Sequence, residues 1–150
     1  MQESIVASGK RERRSEVITP ALSKRGARRV IQRAFVLVGR ERAIRQHVRE
    51  VELNTQWVVE DWGLEWTVVI DHGRLEFHRG RVGKPQVSYI WETGERFLGQ
   101  VETKAAPEKG FCFIADPVWR RVVEPVFNSF LTALRAVLAD PVDDDGERLL

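Results

Sequence analysis

The spacing of apolar positions changes several times along the chain, and each change marks an element. From Ala27 onward, Val30, Ile31, Ala34, Phe35 and Val38 recur at helical spacing while Arg28, Arg29 and Arg33 fall off the stripe. This predicts an amphipathic helix ending near Gly39. A second helical stretch over about 41–50 has Ala43, Ile44, His47, Val48 and Val51 as its anchors. The period then becomes that of a strand. Leu64, Trp66, Val68 and Ile70 alternate with Glu65, Thr67, Val69 and Asp71, and "DHG" at 71–73 turns the chain into Leu75 and Phe77. "TQWVVED" upstream reads as a preceding strand. "PQVSYIW" downstream puts Val87, Tyr89 and Trp91 on one side and Ser88 and Ile90 on the other. Four successive strands predict an antiparallel meander.

Thr93 is placed to cap a short helix, "GERFLGQVETK", whose Phe97, Leu98 and Val101 face inward. After the loop "APEKG", "FCFIAD" is a fifth strand. Asp116 and Pro117 then open a long helix, since a carboxylate caps free amides and proline suits the first turn. Its stripe of Trp119, Val122, Val123, Val126, Phe127, Phe130, Leu134, Val137 and Leu138 requires a broad apolar surface to cover it. Pro125 inside the helix removes a backbone hydrogen bond and predicts a kink near 121–125. Residues 1–26 form a basic arm without periodicity, and 141–150 an acidic tail without pattern; both are expected to be disordered around a single domain at 27–140.

Composition supports a real core: 150 residues at 43% hydrophobic content suffice for one domain. Charge divides unevenly, with 13 Lys/Arg against 5 Asp/Glu in residues 1–50 and 11 against 17 in the remainder. Such a basic first third suits either an anionic partner or a solvated helix face balancing an acidic body. The longest uninterrupted apolar runs, such as residues 34–39, fall far short of the ~20 residues of a membrane span, and no secretory leader pattern opens the chain. No transmembrane segment and a cytoplasmic location are expected. The one cysteine, Cys112, rules out an internal disulfide.

Candidate chemistry is sparse. His47, His72 and His78 lack metal-ligand spacing, so no metal site is expected, and Cys112 on a strand reads as a packed side chain. Glu60, Asp61 and Glu65 beside the tryptophans could serve as an acid/base pair, although carboxylates at strand ends are usually solvated. Phosphate-cradling loops and the nucleophile elbow of hydrolases are absent from the sequence, which removes the usual signals for nucleotide binding and hydrolysis. "KRERR" and "SKRGARR" supply phosphate-seeking charge, yet arginines opposite an apolar stripe are more often merely solvated, so nucleic acid is a weak candidate partner.

The order helix, helix, strands, short helix, strand, long apolar helix resembles the sterol carrier protein type-2 domain. The segments "TQWVVED", "EWTVVI", "DHGRLEFHRG", "KPQVSYIWETGERFLGQVETK" and "FCFIADPVWRRVVEPVFNSFLTAL" are similar to that family in sequence order, over about residues 28–138. The resemblance implies an α+β fold in which a five-stranded, mainly antiparallel sheet is covered by helices. It also implies an apolar tunnel between sheet and helices that takes sterols, fatty acyl chains or other lipids, and it implies no catalytic set.

The aromatic content fits a lined cavity between the sheet and the C-terminal helix. Trp66, Val68 and Phe77 of the hairpin, Tyr89 and Trp91 of the next strand, Phe113, and Trp119, Phe127 and Phe130 of the long helix are its candidate ligand-binding residues, with Trp62 in a connecting turn as a lid or partner contact. The same residues would equally well interdigitate in a solid core. Non-catalytic binding of an apolar small molecule or lipid, without a cofactor, is thus expected. The alternative is a solid interaction module that docks a protein or nucleic acid through the basic arm or exposed aromatics.

Overall fold

A computed structural model describes residues 22–150. Most of the basic arm, residues 1–21, therefore lies outside the described residues. Helix α1 (Lys24–Arg40) begins earlier than its apolar stripe, because Ser23 Oγ accepts the amide of Gly26 at 3.0 Å and caps the first turn. It presents Val30, Ile31, Ala34, Phe35 and Val38 inward. Helix α2 (Arg42–His47) is shorter than the expected 41–50. Only Ile44 is buried on it, Ala43 and His47 facing solvent, while Val48 packs from the turn that follows.

Strands β1 (Glu52–Val59), β2 (Leu64–Asp71) and β3 (Arg74–Arg79) form an antiparallel meander. The β2–β3 turn is made by His72 and Gly73, both at positive φ, which is the backbone twist that two-residue hairpins favour. The meander stops there. Strand β4 (Val87–Trp91) crosses to the far side of β1 and pairs with it in parallel, and β5 (Phe111–Ala115) pairs antiparallel with β4, giving the order β3-β2-β1-β4-β5. The expected four-stranded meander is corrected on this point. The crossover, residues 80–86, runs over polar side chains of the first two strands: Thr67 Oγ1 donates to Gly80 O at 2.8 Å and accepts Val82 N at 2.9 Å, and Asn54 Nδ2 donates to Val82 O at 3.0 Å. Alternation along one strand cannot reveal such a change of neighbour.

The registers collect the apolar positions on one face. Trp57 lies between Trp66 and Tyr89, Val59 between Leu64 and Trp91, and Phe113 and Phe111 continue the two rows. Helices pack on this face: α1 through Phe35, α3 (Gly94–Thr103, capped by Thr93 Oγ1) through Phe97, and α4 (Pro117–Ala139) through Phe127 and Phe130. Helix α4 is long and apolar enough by composition to cross a membrane, more than the short uninterrupted runs suggested. Here it is a core helix whose Phe130, Leu131 and Leu134 are essentially inaccessible. It stays helical through Pro125, and His47 Nε2 lies 2.9 Å from the neighbouring Val122 carbonyl.

The acidic tail, expected to be unstructured, folds back on α1. Asp144 binds Arg40 at 2.7 Å and Arg33 at 2.9 Å, Val142 and Arg148 form an isolated bridge, and Leu149 is buried. Gly26 permits this approach, since a Cβ there would lie 2.7 Å from Leu150 Cδ2. A run of aspartates and short turns hid this tail from pattern reading, because only Leu149 joins the apolar core.

Candidate functional site

The aromatic surface divides into a filled part and a hollow part. The Phe35 ring lies 5.4 Å from Trp57, 5.8 Å from Trp66, 5.7 Å from Phe77 and 5.0 Å from Phe130, so α1 plugs the space above β2 and β3. Five candidate residues, Trp66, Val68, Phe77, Trp91 and Phe130, belong to the core and do not line the pocket at the other edge. Trp66 Nε1 is further satisfied by Gln32 Oε1 at 3.2 Å. Trp119 packs half-buried against the same core.

At the other edge, beneath the N-terminal half of α4, a pocket of about 330 Å³ opens between β4, β5 and the helix. Tyr89, Phe113 and Phe127 from the candidate set line it, joined by Phe111 and Val123. Its volume is at the small end of the ~300–1,000 Å³ typical of ligand pockets. The rings are stacked: Tyr89 and Phe127 have centroids 4.6 Å apart and planes inclined by 4°, and Phe113 lies 5.1 Å from Tyr89. The stacked rings give the pocket an apolar lining.

Sequence reasoning missed the polar groups around this lining. Gln100 of α3 is buried, and its Oε1 accepts Trp91 Nε1 at 2.8 Å, which leaves the Nε2 amide as a donor at the pocket. Burial pushes the Tyr89 phenol well above its usual range. Arg120, Arg121 and Glu124 of α4 also border the opening. The Arg120 guanidinium lies 5.5 Å from the Phe113 ring centroid while its Nε donates to Ala115 O at 3.2 Å. The i, i+1 and i+4 spacing of these charges at the start of α4 was the available signal. It read only as a polar helix face.

A second depression of about 440 Å³, lined by Gly63, Leu64, Glu65, Trp66, Arg79 and Gly80, is larger but poorer as an apolar site. Trp66 is its one aromatic, and it shares the lining with the charged Glu65 and Arg79.

Trp62 lies at neither opening. Its indole covers the first residue of α3, where a Cβ on Gly94 would fall 2.0 Å from the ring, and it meets Phe97 edge-on at 6.0 Å. It clamps a helix start rather than lidding the pocket. The neighbouring carboxylates are also structurally employed: Asp61 Oδ1 accepts Gly94 N at 2.7 Å, Glu65 pairs with Arg81 at 3.1 Å, and Glu60 faces solvent. None borders the aromatic pocket. His72 sits 2.7 Å from Asp71 Oδ1 and 3.9 Å from Glu52; the hydrogen bond to Asp71 and then the surrounding carboxylates raise its pKa against slight desolvation.

No family model matches the chain, and no curated protein matches it in sequence. Solved structures do. A conserved hypothetical protein of Thermus thermophilus, TT1886, for which a sterol carrier protein has been suggested, aligns over 72% of this chain and 85% of its own with 11% identity and a TM-score of 0.51. A ubiquinone synthesis protein, UbiJ-SCP2, aligns over 69% of this chain and 95% of its own at 12% identity and a TM-score of 0.46. The inverting sec-alkylsulfatase Pisa1 of Pseudomonas sp. aligns at 16% identity and a TM-score of 0.41, over 57% of this chain; the match spans only 13% of the sulfatase's length. Five strands in mixed order beneath helices on one face give this chain the α+β fold of the sterol carrier protein type-2 domains.

Proposed function

We propose that this protein binds, without catalysis, an apolar chain or a small lipid in the pocket between β4, β5 and α4, as a carrier acting in the cytoplasm. The observation that supports it is a hollow walled by stacked aromatics in a chain that elsewhere fills its interior. A cavity of about 330 Å³ suits a short acyl chain or the end of a longer one better than a whole sterol. Each methylene buried would contribute ~0.8 kcal/mol before ordering costs. Polar Gln100 stands among the lining residues, and Arg120 and Arg121 border the mouth, so the site suits an amphiphile.

Docking through the basic arm is the weaker alternative. On the α1 helix that follows the arm, Arg33 and Arg40 share the single carboxylate of Asp144, which offsets one of their two charges. An acid/base role for Glu60, Asp61 and Glu65 is weaker again, because none faces the pocket.

The test is native mass spectrometry of the purified chain together with displacement of an apolar fluorescent probe. Ala106 is exposed and lines the pocket, so Ala106→Trp should block entry without disturbing the core. Probe affinity should fall by about tenfold or more, the loss of one or two buried methylenes' worth of contact. A chain that copurifies with no lipid and binds no apolar probe would contradict the proposal.

A further inference from the structure

The two edges of the sheet are built differently. β3, at one edge, reads "RLEFHR" and carries Arg74, Glu76, His78 and Arg79, the kind of charged edge that discourages pairing with another chain. β5, at the other, reads "FCFIA" and carries no charge at all. Two of the four large apolar side chains most exposed among the described residues, Ile114 (56%) and Val118 (67%), sit on or just after it.

The hydrogen-bond phase of β5 leaves this edge open. Glu92 N donates to Gly110 O, so in this antiparallel register Gly110, Cys112 and Ile114 direct their backbone groups toward β4. Phe111, Phe113 and Ala115 therefore direct theirs outward. Among the described residues, the only hydrogen bond made by those outward groups is the one from Arg120 Nε to Ala115 O, and that carbonyl keeps a second lone pair.

We propose that β5 pairs antiparallel with β5 of a second copy of this chain, around a two-fold axis at Phe113. This register sets Phe113 opposite Phe113 and Phe111 opposite Ala115, so every outward amide and carbonyl of one strand meets its complement on the other. On the face away from the helices, Cys112 lies opposite Ile114. The result is a continuous ten-stranded sheet with both helical layers on one side. Five paired residues bury less than the ~1,200 Å² of a stable interface, so the dimer is weak and forms with rising concentration.

The lone cysteine provides the readout. In this register the two Cys112 residues are diagonal neighbours with Cα atoms ~7–8 Å apart, too far for an unstrained disulfide and within reach of a short bismaleimide. The wild-type chain should crosslink through Cys112, and its mass by light scattering should rise with concentration. Ile114→Lys places a charge on the edge of both copies and should lower both signals about tenfold, whereas Ile114→Val should keep them. A chain with Cys112→Ser and Val82→Cys, which moves the thiol to an exposed site on the crossover, should crosslink at least about tenfold less. Circular dichroism checks that each variant is folded, and should Ile114→Lys fail to fold, the comparison of the two cysteine positions decides. A chain that stays monomeric, equal crosslinking at residues 82 and 112, or a dimer that folded Ile114→Lys leaves intact would overturn the proposal.

Discussion

The two halves of the aromatic surface are made from the same kinds of residue on the same sheet face, yet one is solid and the other hollow. Above β2 and β3, α1 delivers Phe35 into contact with Trp57, Trp66, Phe77 and Phe130. Above β4 and β5 the wall of Tyr89, Phe113 and Phe127 is roofed by the first turns of α4 and bordered by α3, and about 330 Å³ stays open. The difference lies in which helix supplies a large ring: α1 brings Phe35 down onto the first half and does not reach the second.

The largest effect should come from removing the plug. Phe35→Ala would leave a void in the filled half and should lower the unfolding free energy by about 3–5 kcal/mol, a large share of the ~5–15 kcal/mol of a native domain, measured by urea denaturation. Next comes the boundary between the halves. Trp91→Phe leaves buried Gln100 Oε1 without its donor, which should cost about 1–3 kcal/mol by the same measurement, with a smaller further loss from the trimmed ring. Phe127→Ala, truncating a half-buried ring beside a space that is already open, should cost only about 1–2 kcal/mol and shift the preferred ligand toward longer chains. Equal losses for Phe35→Ala and Phe127→Ala would erase the distinction between filled and hollow.

How much of this the sequence could carry follows from the nature of each signal. Alternation placed Trp66, Val68, Tyr89, Trp91 and Phe113 on one sheet face, and helical spacing placed Phe127 and Phe130 opposite them. The sterol-carrier resemblance supplied the fold class. None of these signals encodes how tightly two apolar surfaces close, so the ten candidate residues could not be sorted into the three that line the pocket and the others that fill or clamp. Gln100 escaped notice because one polar residue on the inner face of a short helix looks like noise until Trp91 is found to bond it. The parallel β1–β4 pairing and the folded tail were invisible for a related reason: both depend on contacts between distant segments that local spacing does not record.

The smallest expected effect concerns what holds the plug helix in place. Asp144 of the tail binds Arg40 and Arg33 on α1, and these hydrogen bonds hold its carboxyl well below the usual carboxylate range. A depressed folded-state pKa means that the unfolded chain binds the proton more readily. The stabilisation is therefore present above the unfolded pKa of ~3.9 and is lost as pH falls below it toward the folded value. Asp144→Asn should be less stable than the wild type at neutral pH, and the gap should close as both are titrated through the acid range. Because the pair is exposed, the gap should also narrow as salt is added, whereas the Phe35→Ala loss should not. Thermal unfolding of the three chains across pH and salt measures both. No gap at neutral pH would mean that the tail holds α1 through Leu149 and Leu150 rather than through charge.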